Sequence, residues 1–428
     1  MKKFLILGNG GRECAIVRAL RNSYHGDIKH NKGYFTKEDI FCSHGNDGTD
    51  ILGTNVKLNN NEEIIDFAKK NDCIVIPGSE TYLVNGIIDD CLKNNIECIG
   101  PTKDMAMLEW SKCFTKRTCL RQNIPTSKFE FIVLHEMDDV EGLYDNEYIK
   151  KFNYPIVLKC NGLQSGKGVF FCFTPHETIE KMIQLFVNGT ENKFIIEEKL
   201  EGYELSFMAL CDGKNSHILP SSMDHKRKYD GNTGPNTGGM GAVSPHPNFL
   251  ECLHEKEIKE YKKLFIDPIV KEFNYTGFLY AGLMITKDGP KLLEYNCRLG
   301  DPETQAVLPR ITDFYQVCKC YLNQQVYNAW IYQDLRYNCC CVVISTKDYA
   351  ETDNVKKINV KYPQDWVTIA LNNKTWLDIA SVSNGKGSGR LLSVVSRERE
   401  CLEDARRTTY LYTNCFHDYH YRKDIGII

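Results

Sequence analysis

A multidomain α/β and α+β protein with a parallel sheet at its N-terminus is predicted by three features of the sequence. Short apolar runs alternate with helical stretches through residues 1–102, the pattern that builds parallel sheets with ligand sites at strand ends. Glycine or proline–glycine turns close several of those runs. The chain is 428 residues long, which at roughly 150 residues per domain suggests about three domains.

Taken in order, residues 4–7 read as a buried strand, followed by a glycine turn and a helix over 12–21. Residues 73–76 form a second apolar run ended by Pro77-Gly78, and 96–99 lead into Gly100-Pro101. Strand–turn–helix units of this kind predict a Rossmann-like parallel α/β domain over 1–102. The texture changes at Lys103, where a helix over 103–123 is predicted to stop at Ile124-Pro125, since proline disfavours helix in the residue before it. Strands follow at 155–159 and 194–197, a glycine loop at 162–168, a glycine-rich segment at 230–241, and strands at 278–285 and 290–297. A last segment, 327–428, carries strand-like 340–344 and 391–395 and a helix over 401–412. The division expected is therefore 1–102, 103–326 and a small C-terminal domain, 327–428.

Composition narrows the function. Lysine plus arginine number 53 against 56 acidic residues, for a net charge of −3, so no basic field attracts nucleic acid or an anionic membrane. No run of about 18 apolar residues appears, which excludes a membrane-spanning helix. The start, MKKFLILGNG, has too short an apolar stretch for a signal peptide. The 19 cysteines are odd in number, lack paired CxxC spacing, and occur in a chain too long to need a disulfide scaffold, so free thiols in a reducing cytoplasm are expected.

Several segments carry candidate chemistry. The turn Gly8-Asn9-Gly10-Gly11-Arg12-Glu13 departs from the dinucleotide fingerprint because its sixth position is glutamate instead of glycine; a different phosphate-binding turn and a structural tight turn both fit. Lys159, at a strand end, is followed by Gly162 to Gly168. The order is not that of a Walker loop, but glycines around a lysine suit a cover for a triphosphate as well as a hairpin turn. Glu197 to Glu204 forms a strand end and turn that can present backbone groups to a base and carboxylates to a ribose, or simply be solvated. In residues 291–298 a two-residue period puts Glu294, Asn296 and Arg298 on one face. A carboxylate and an amide oxygen suit Mg²⁺, with Arg298 left to grip an anion; a salt-bridge network is the alternative. Five glycines lie within 230–241, giving a segment able to present N–H groups to anions and to exclude water. His225, just before it, reads as a positioning residue.

This ordered set resembles the glycinamide ribonucleotide synthetase (phosphoribosylamine–glycine ligase) family of the ATP-grasp superfamily. The stretches that carry the resemblance are GNGGRE at 8–13, GPTKDMAMLEWSKCFTK at 100–116, PIVLKCNGLQSGKGV at 155–169 and EEKLEGYELSF at 197–207. DHKRKYDGNTGPNTGGMGAVSP at 224–245, GFLYAGLMI at 277–285, EYNCRLGDPETQ at 294–305, GRLLSVVS at 389–396 and YRKDIG at 421–426 complete it. The resemblance implies a two-lobed ATP-grasp core over 103–326, with a mobile lobe at about 125–200, between the other two domains. It implies a carbon–nitrogen ligase of purine biosynthesis that joins glycine to 5-phosphoribosylamine through glycyl phosphate, with ATP as co-substrate and Mg²⁺ or Mn²⁺ as cofactor. Lys112, Lys159, Gly166, Lys167, Gly168, Glu197, Lys199, Leu200 and Glu204 are implied to bind ATP, and Glu294 and Asn296 the metal. Gly10, Gly11, Arg12, Glu13, Asn236, Thr237, Gly238 and Gly239 are implied to bind substrate, with Asp224, Lys226 and Arg298 in catalytic roles. Partners are then small molecules, with no nucleic acid and no membrane, and the chain a cytoplasmic monomer or weak homodimer.

The sequence departs from the family pattern in places. Cys14 stands where GNGGREH has histidine, Lys347-Asp348-Tyr349-Ala350 replaces Gly-Gly-Tyr-Pro, and Ser79 and Tyr82 occupy positions where proline is common. These changes bear on substrate detail more than on reaction class. Two other readings are kept beside the ligase: an ATP-grasp enzyme for another carboxylate and amine, and a catalytically silent nucleotide-binding protein.

Overall fold

Residues Phe4, Leu5, Ile6 and Leu7 are all completely buried, as a strand covered on both faces of a parallel sheet requires. In the computed structural model, which describes residues 2–23, 33–136, 142–162, 168–352, 355–368 and 374–427, they form the centre of strand β1 (Lys3–Gly8). It pairs in parallel with β2 (Ile40–His44) on one side and β4 (Cys73–Pro77) on the other, while β3 (Thr54–Asn55) extends the sheet beyond β2. The register sets Phe4 beside both Ile40 and Ile74. Residues 96–99 contribute a single bridge, Val75 with Cys98, where a strand was expected. Helix α1 (Gly11–Arg21) follows β1 directly, as the sequence predicts.

By compactness the chain divides into two units, 1–106 with 205–280 and 296–428, and 107–204 with 281–295. The first holds the parallel sheet and a five-stranded sheet in the order Met223–Asp224, Gly241–Ser244, Asn338–Ser345, Arg390–Glu398, Thr375–Ile379. Cys339, Cys340 and Cys341 lie in its central strand, all fully buried. Cys340 joins the large core that includes Ala405 of helix Leu402–Thr413, while Cys339 and Cys341 pack with Trp376 and Val395. Of the 19 cysteines, all free thiols, 14 are buried and only Cys252, Cys401 and Cys415 are exposed. No described helix is long and apolar enough to cross a membrane.

The second unit contains a four-stranded sheet, in the order β5 (Phe129–Val133), β8 (Lys193–Glu198), β6 (Ile156–Cys160), β7 (Val169–Cys172). Ile132, Leu158, Phe194 and Ile196 pack with Ile179 and Met182 of helix Pro175–Val187. That helix starts as its sequence dictates, with Pro175 in the first turn and the Thr174 side chain accepting from the Glu177 N–H, a cap worth about 1 kcal/mol. The single helix expected over 103–123 is two, Lys103–Trp110 and Lys112–Gln122. Ser111 divides them because its hydroxyl accepts from the Phe114 N–H and starts the second helix. A further sheet runs Ser216–Ile218, Tyr203–Asp212, Thr276–Thr286, Gly289–Asn296; the chain changes unit at 204, 280 and 295.

Two buried histidines contribute to the acid sensitivity of this fold. Burial pushes both His217 and His225 down to about 4, so each is neutral in the native state and takes up a proton on unfolding at mildly acid pH. Their folded pKa lies below the unfolded value of about 6.5; the stability they contribute is present above that value and is lost as pH falls from 6.5 towards 4. Unfolding free energy measured by denaturant between pH 7 and 4.5 should fall with acidification, and His217→Gln with His225→Gln should flatten that slope.

Candidate active site

Lys112 and Lys116 sit one turn apart on one face of helix Lys112–Gln122, the separation that makes side chains neighbours. Lys159 on β6 and Glu197 on β8 belong to antiparallel neighbours whose register pairs Lys159 with Ile195 and Val157 with Glu197, so the two charged side chains are diagonal on one face. The Lys159 Nζ lies 3.0 Å from Glu197 Oε1 and donates to the Leu293 carbonyl at 3.2 Å. Lys116 Nζ lies 3.1 Å from Glu197 Oε2 and donates to Thr126 Oγ1 and Ser127 Oγ at 2.7 and 2.8 Å. Ser127 in turn donates to Oε2 at 2.6 Å.

Lys116 is 3% exposed and Glu197 2%, so both charges depend on one another. Burial alone raises the Glu197 pKa, but the facing Lys159 and Lys116 outweigh it and hold the carboxylate below its usual range. Burial lowers Lys116, with Glu197 opposing. The directions are compatible because one carboxylate faces two ammonium groups while each ammonium faces one carboxylate. Glu197 Oε1 faces the Lys159 ammonium at 3.0 Å, and a carboxylate oxygen keeps a second lone pair that a ligand N–H can use.

Glu294 stands close to this group. Burial lowers the Lys112 pKa, Glu294 is the strongest charge opposing it, and Lys159 adds to the lowering. Lys112 Nζ also donates to the Gly162 carbonyl at 3.0 Å. Glu294 and Asn296 are half-buried on strand Gly289–Asn296, two positions apart and so on one face. One carboxylate and one amide oxygen are hard donors that fit Mg²⁺ completed by phosphates and water. The strand ends at Asn296, two residues before Arg298. Its Nε pairs with Glu80 at 3.2 Å, and its Nη2 reaches Asn296 Oδ1 at 3.4 Å. Lys199 and Glu204 are exposed, Leu200 is half-buried, and Gly168 is buried with its carbonyl accepting from Cys160 N–H. Gly166 and Lys167 lie outside the described residues.

The glycine turn belongs to the other unit, and Glu13 explains its sequence. The Glu13 carboxylate, 1% exposed, accepts from Gly10 N–H at 2.6 Å and from Arg12 Nε at 2.9 Å. A Cβ on Gly8, Gly10 or Gly78 would come within 2.6, 2.8 or 2.0 Å of this side chain. The space that a third fingerprint glycine would leave open is filled by a carboxylate at the helix N-terminus, where negative charge is favoured. Gly10 N–H is therefore taken, and an anion contact from this turn falls to neighbouring backbone groups. Arg12 also donates to the Leu299 carbonyl at 3.1 Å.

Over the same turn stand Asp301 and Gln305, linked at 2.8 Å. A Cβ on Gly11 would meet Gln305 Nε2 at 2.6 Å, and one on Gly10 would meet Asp301 Oδ2 at 3.3 Å. Arg390 pairs with Asp301 at 3.1 Å. Burial opposes the Asp301 charge, but Arg390 and Arg12 hold its carboxyl below the usual range. In the glycine-rich segment, Asn236 ends strand Thr233–Asn236 and pairs with Arg227. Thr237 N–H and Oγ1 both donate to the Lys226 carbonyl, and Gly239 N–H donates to Thr237 Oγ1. Gly239 has a φ of +107°, and a Cβ there would lie 2.4 Å from Pro302 Cδ and 2.8 Å from Asp224 Oδ1. His225 accepts from Gly426 N–H at 3.0 Å, consistent with a positioning role.

The departures have local explanations. Cys14 is fully buried, its thiol pushed up to about 12 by burial and then by Asp378, and a Cβ on Gly48 would lie 2.8 Å from its Sγ. The side chain at 14 thus packs into the core. Ser79 caps helix Glu80–Val84, which places Glu80 for Arg298, and Tyr82 donates to the Ser43 carbonyl at 3.3 Å. Ala350 has a φ of +62°, which proline cannot adopt.

Lys116, Asp301, Gln305 and Arg390 were not singled out from sequence. The four-residue spacing from Lys112 is a signal for Lys116; Asp301 and Gln305 meet the glycine turn, and Arg390 meets Asp301, across long stretches of chain, for which no local pattern exists. Lys116→Met should cost about 3 kcal/mol of stability, the scale for breaking a buried ion pair. In a cycle with Glu197→Gln, the double variant should lose less than the sum of the singles.

Family models match about seven tenths of the chain: phosphoribosylglycinamide synthetase, N domain, over residues 2–109 and its ATP-grasp (A) domain over 110–304. A phosphoribosylamine–glycine ligase of Clostridium acetobutylicum is 36% identical over 441 residues, covering 99% of each chain. The crystal structure of phosphoribosylamine–glycine ligase from Thermotoga maritima superposes with a TM-score of 0.77 at 32% identity, over 99% of this chain and 100% of that one. The biotin carboxylase domain of Hydrogenobacter thermophilus 2-oxoglutarate carboxylase, solved with MgADP, shares the fold at a TM-score of 0.67 and 15% identity, over 98% and 91%. Full-length identity above one third, together with both family models, shows that the chain belongs to the phosphoribosylglycinamide synthetase (phosphoribosylamine–glycine ligase) family.

Proposed function

We propose that this chain joins the carboxylate of glycine to the amine of 5-phosphoribosylamine, converting ATP to ADP and phosphate and releasing glycinamide ribonucleotide. The observation that carries the reading is the cluster of Lys112, Lys159, Glu197 and Glu294, two cations set beside a hard-oxygen ligand in a chain of this family. A carboxylate is a poor electrophile. Its oxygen attacks the γ-phosphoryl group, the bond to ADP breaks, and the resulting glycyl phosphate loses phosphate when the amine attacks its carbonyl carbon. Phosphoryl transfer asks little acid–base work of a protein and much positioning and charge stabilisation.

Lys112 and Lys159 hold the phosphate tail, and Lys159 is kept in place by Glu197 and the Leu293 carbonyl. Glu197 Oε1 takes an N–H from the adenine, beside the Lys199–Leu200 backbone, and Glu204 holds the ribose. Glu294 and Asn296 would hold Mg²⁺, which when bound offsets charge on the phosphates. The turn at Gly10, Gly11, Arg12 and Glu13 and the segment from Asn236 to Gly239 take the phosphoribosyl substrate, with Asp224, Lys226 and Arg298 around the glycine and amine. The three-part division at 102 and 326 is the functional counterpart of this assignment. Buried free thiols suit a reducing cytoplasm, where the chain works as a monomer or weak homodimer.

Purified protein with ATP, Mg²⁺, glycine and freshly generated phosphoribosylamine should release ADP and glycinamide ribonucleotide in equal amounts. ADP release with a different amine alone would select another ligase, and ATP binding without turnover would select a silent nucleotide binder. Glu294→Gln should lower Mg²⁺-dependent turnover by about a hundred-fold; normal turnover would remove Glu294 from the metal site.

A further inference from the structure

Gly238 lies in the glycine-rich segment, and both polar groups of its backbone are held by side chains from the C-terminal hundred residues. Its N–H donates to the Tyr349 hydroxyl at 3.0 Å. Its carbonyl accepts from Arg390 Nη1 at 2.6 Å. The same Nη1 donates to the Asp301 carbonyl at 2.7 Å, while Nη2 reaches Asp301 Oδ2 at 3.1 Å. Asp301 Oδ2 is the atom a Cβ on Gly10 would approach at 3.3 Å. One guanidinium therefore ties the glycine-rich segment to the carboxylate that overhangs the 8–13 turn.

The two side chains are themselves fixed side by side. Ser345 pairs with Arg390 across the central strands of the five-stranded sheet, and Thr346 N–H donates to the Gly389 carbonyl at 2.9 Å. The turn carrying Tyr349 is anchored from below by Lys228, which is fully buried, donates to the Lys347 carbonyl at 2.6 Å and pairs with Glu351 at 2.9 Å. There is no slack at the junction: a Cβ on Gly238 would sit 3.2 Å from the Tyr349 hydroxyl and 3.3 Å from the Arg390 guanidinium.

We propose that Arg390 and Tyr349 are positioning residues for the phosphoribosylamine substrate, fixing the Gly238 peptide against Asp301 so that the two substrate-facing backbone stretches keep one spacing. Arginine suits the task because its planar fork can serve a carbonyl and a carboxylate at once, whereas a lysine ammonium cannot span both. Lys347 enters through its carbonyl alone, so the side-chain change at that position leaves the arrangement intact. The inference rests on the functional reading above, and its test separates the two.

Steady-state kinetics on wild type, Arg390→Met, Arg390→Lys and Tyr349→Phe should show a KM effect confined to one substrate. Loss of the charged hydrogen bonds in Arg390→Met should raise the KM for phosphoribosylamine, and the Kd for glycinamide ribonucleotide, by about ten- to a hundred-fold. Tyr349→Phe, which removes a single acceptor, should raise both by about three- to ten-fold, and Arg390→Lys should fall between wild type and Arg390→Met. KM for ATP should stay within about two-fold, because the ATP-binding lysines belong to the other compact unit. Unchanged phosphoribosylamine KM in Tyr349→Phe and Arg390→Lys would overturn the inference, as would an equal rise in both KM values with a lowered Tm. If Arg390→Met does not fold, these two milder variants decide. No wild-type turnover would instead sink the functional reading, and the inference with it.

Discussion

Glu197 is a carboxylate with almost no solvent, and the compact unit that contains it is arranged around keeping it charged. Lys116 arrives from a helix, Lys159 from a neighbouring strand, and Ser127 from the segment before β5. Thr126 and Leu293 bind the two lysines in turn and connect them to strand Gly289–Asn296. Removing a charge from such a set leaves another one uncompensated in a low-dielectric interior. The arrangement is therefore fixed in geometry before any ligand arrives. A preorganised pair of cations is what phosphoryl transfer requires, since no reorganisation is then needed when charge develops.

The other unit uses the same economy with a single carboxylate. Glu13 closes the first helical turn, and glycine at positions 8, 10 and 78 is the steric condition for it. These glycines are not there for flexibility: they leave room for a side chain of their own chain. Asp301 and Gln305 then stand over the turn, with Arg390 paired to Asp301, so backbone from the N-terminal segment meets charges from the rest of the unit.

Much of this was legible in the sequence. The apolar runs at 4–7, 73–76, 278–285 and 340–344 all became strands, because buried strands advertise themselves by composition. The helix over 103–123 was divided by Ser111, a capping signal easily lost inside a long helical stretch. Residues 96–99 made only one bridge, since strand formation depends on a partner that local sequence does not specify. For the candidate site, Lys159 was named from its strand end before a glycine loop and Glu294 from strand alternation, while the role expected of Glu197 came from the family resemblance. Arg298 lies two residues past the end of the strand from which it was read, and its side chain still reaches Asn296. Arg390 was invisible as a contact, because it meets Asp301 and Gly238 across long stretches of chain and only the fold brings them together.

Ala350 decides which residues its position accepts. Where the family pattern has proline, this chain holds a residue with φ of +62°, outside the range the pyrrolidine ring allows. Tyr349, one residue earlier, accepts from the Gly238 N–H through its hydroxyl. Glycine or asparagine at 350 would tolerate this left-handed backbone, whereas proline would force the turn to reshape, and with it the reach of Tyr349.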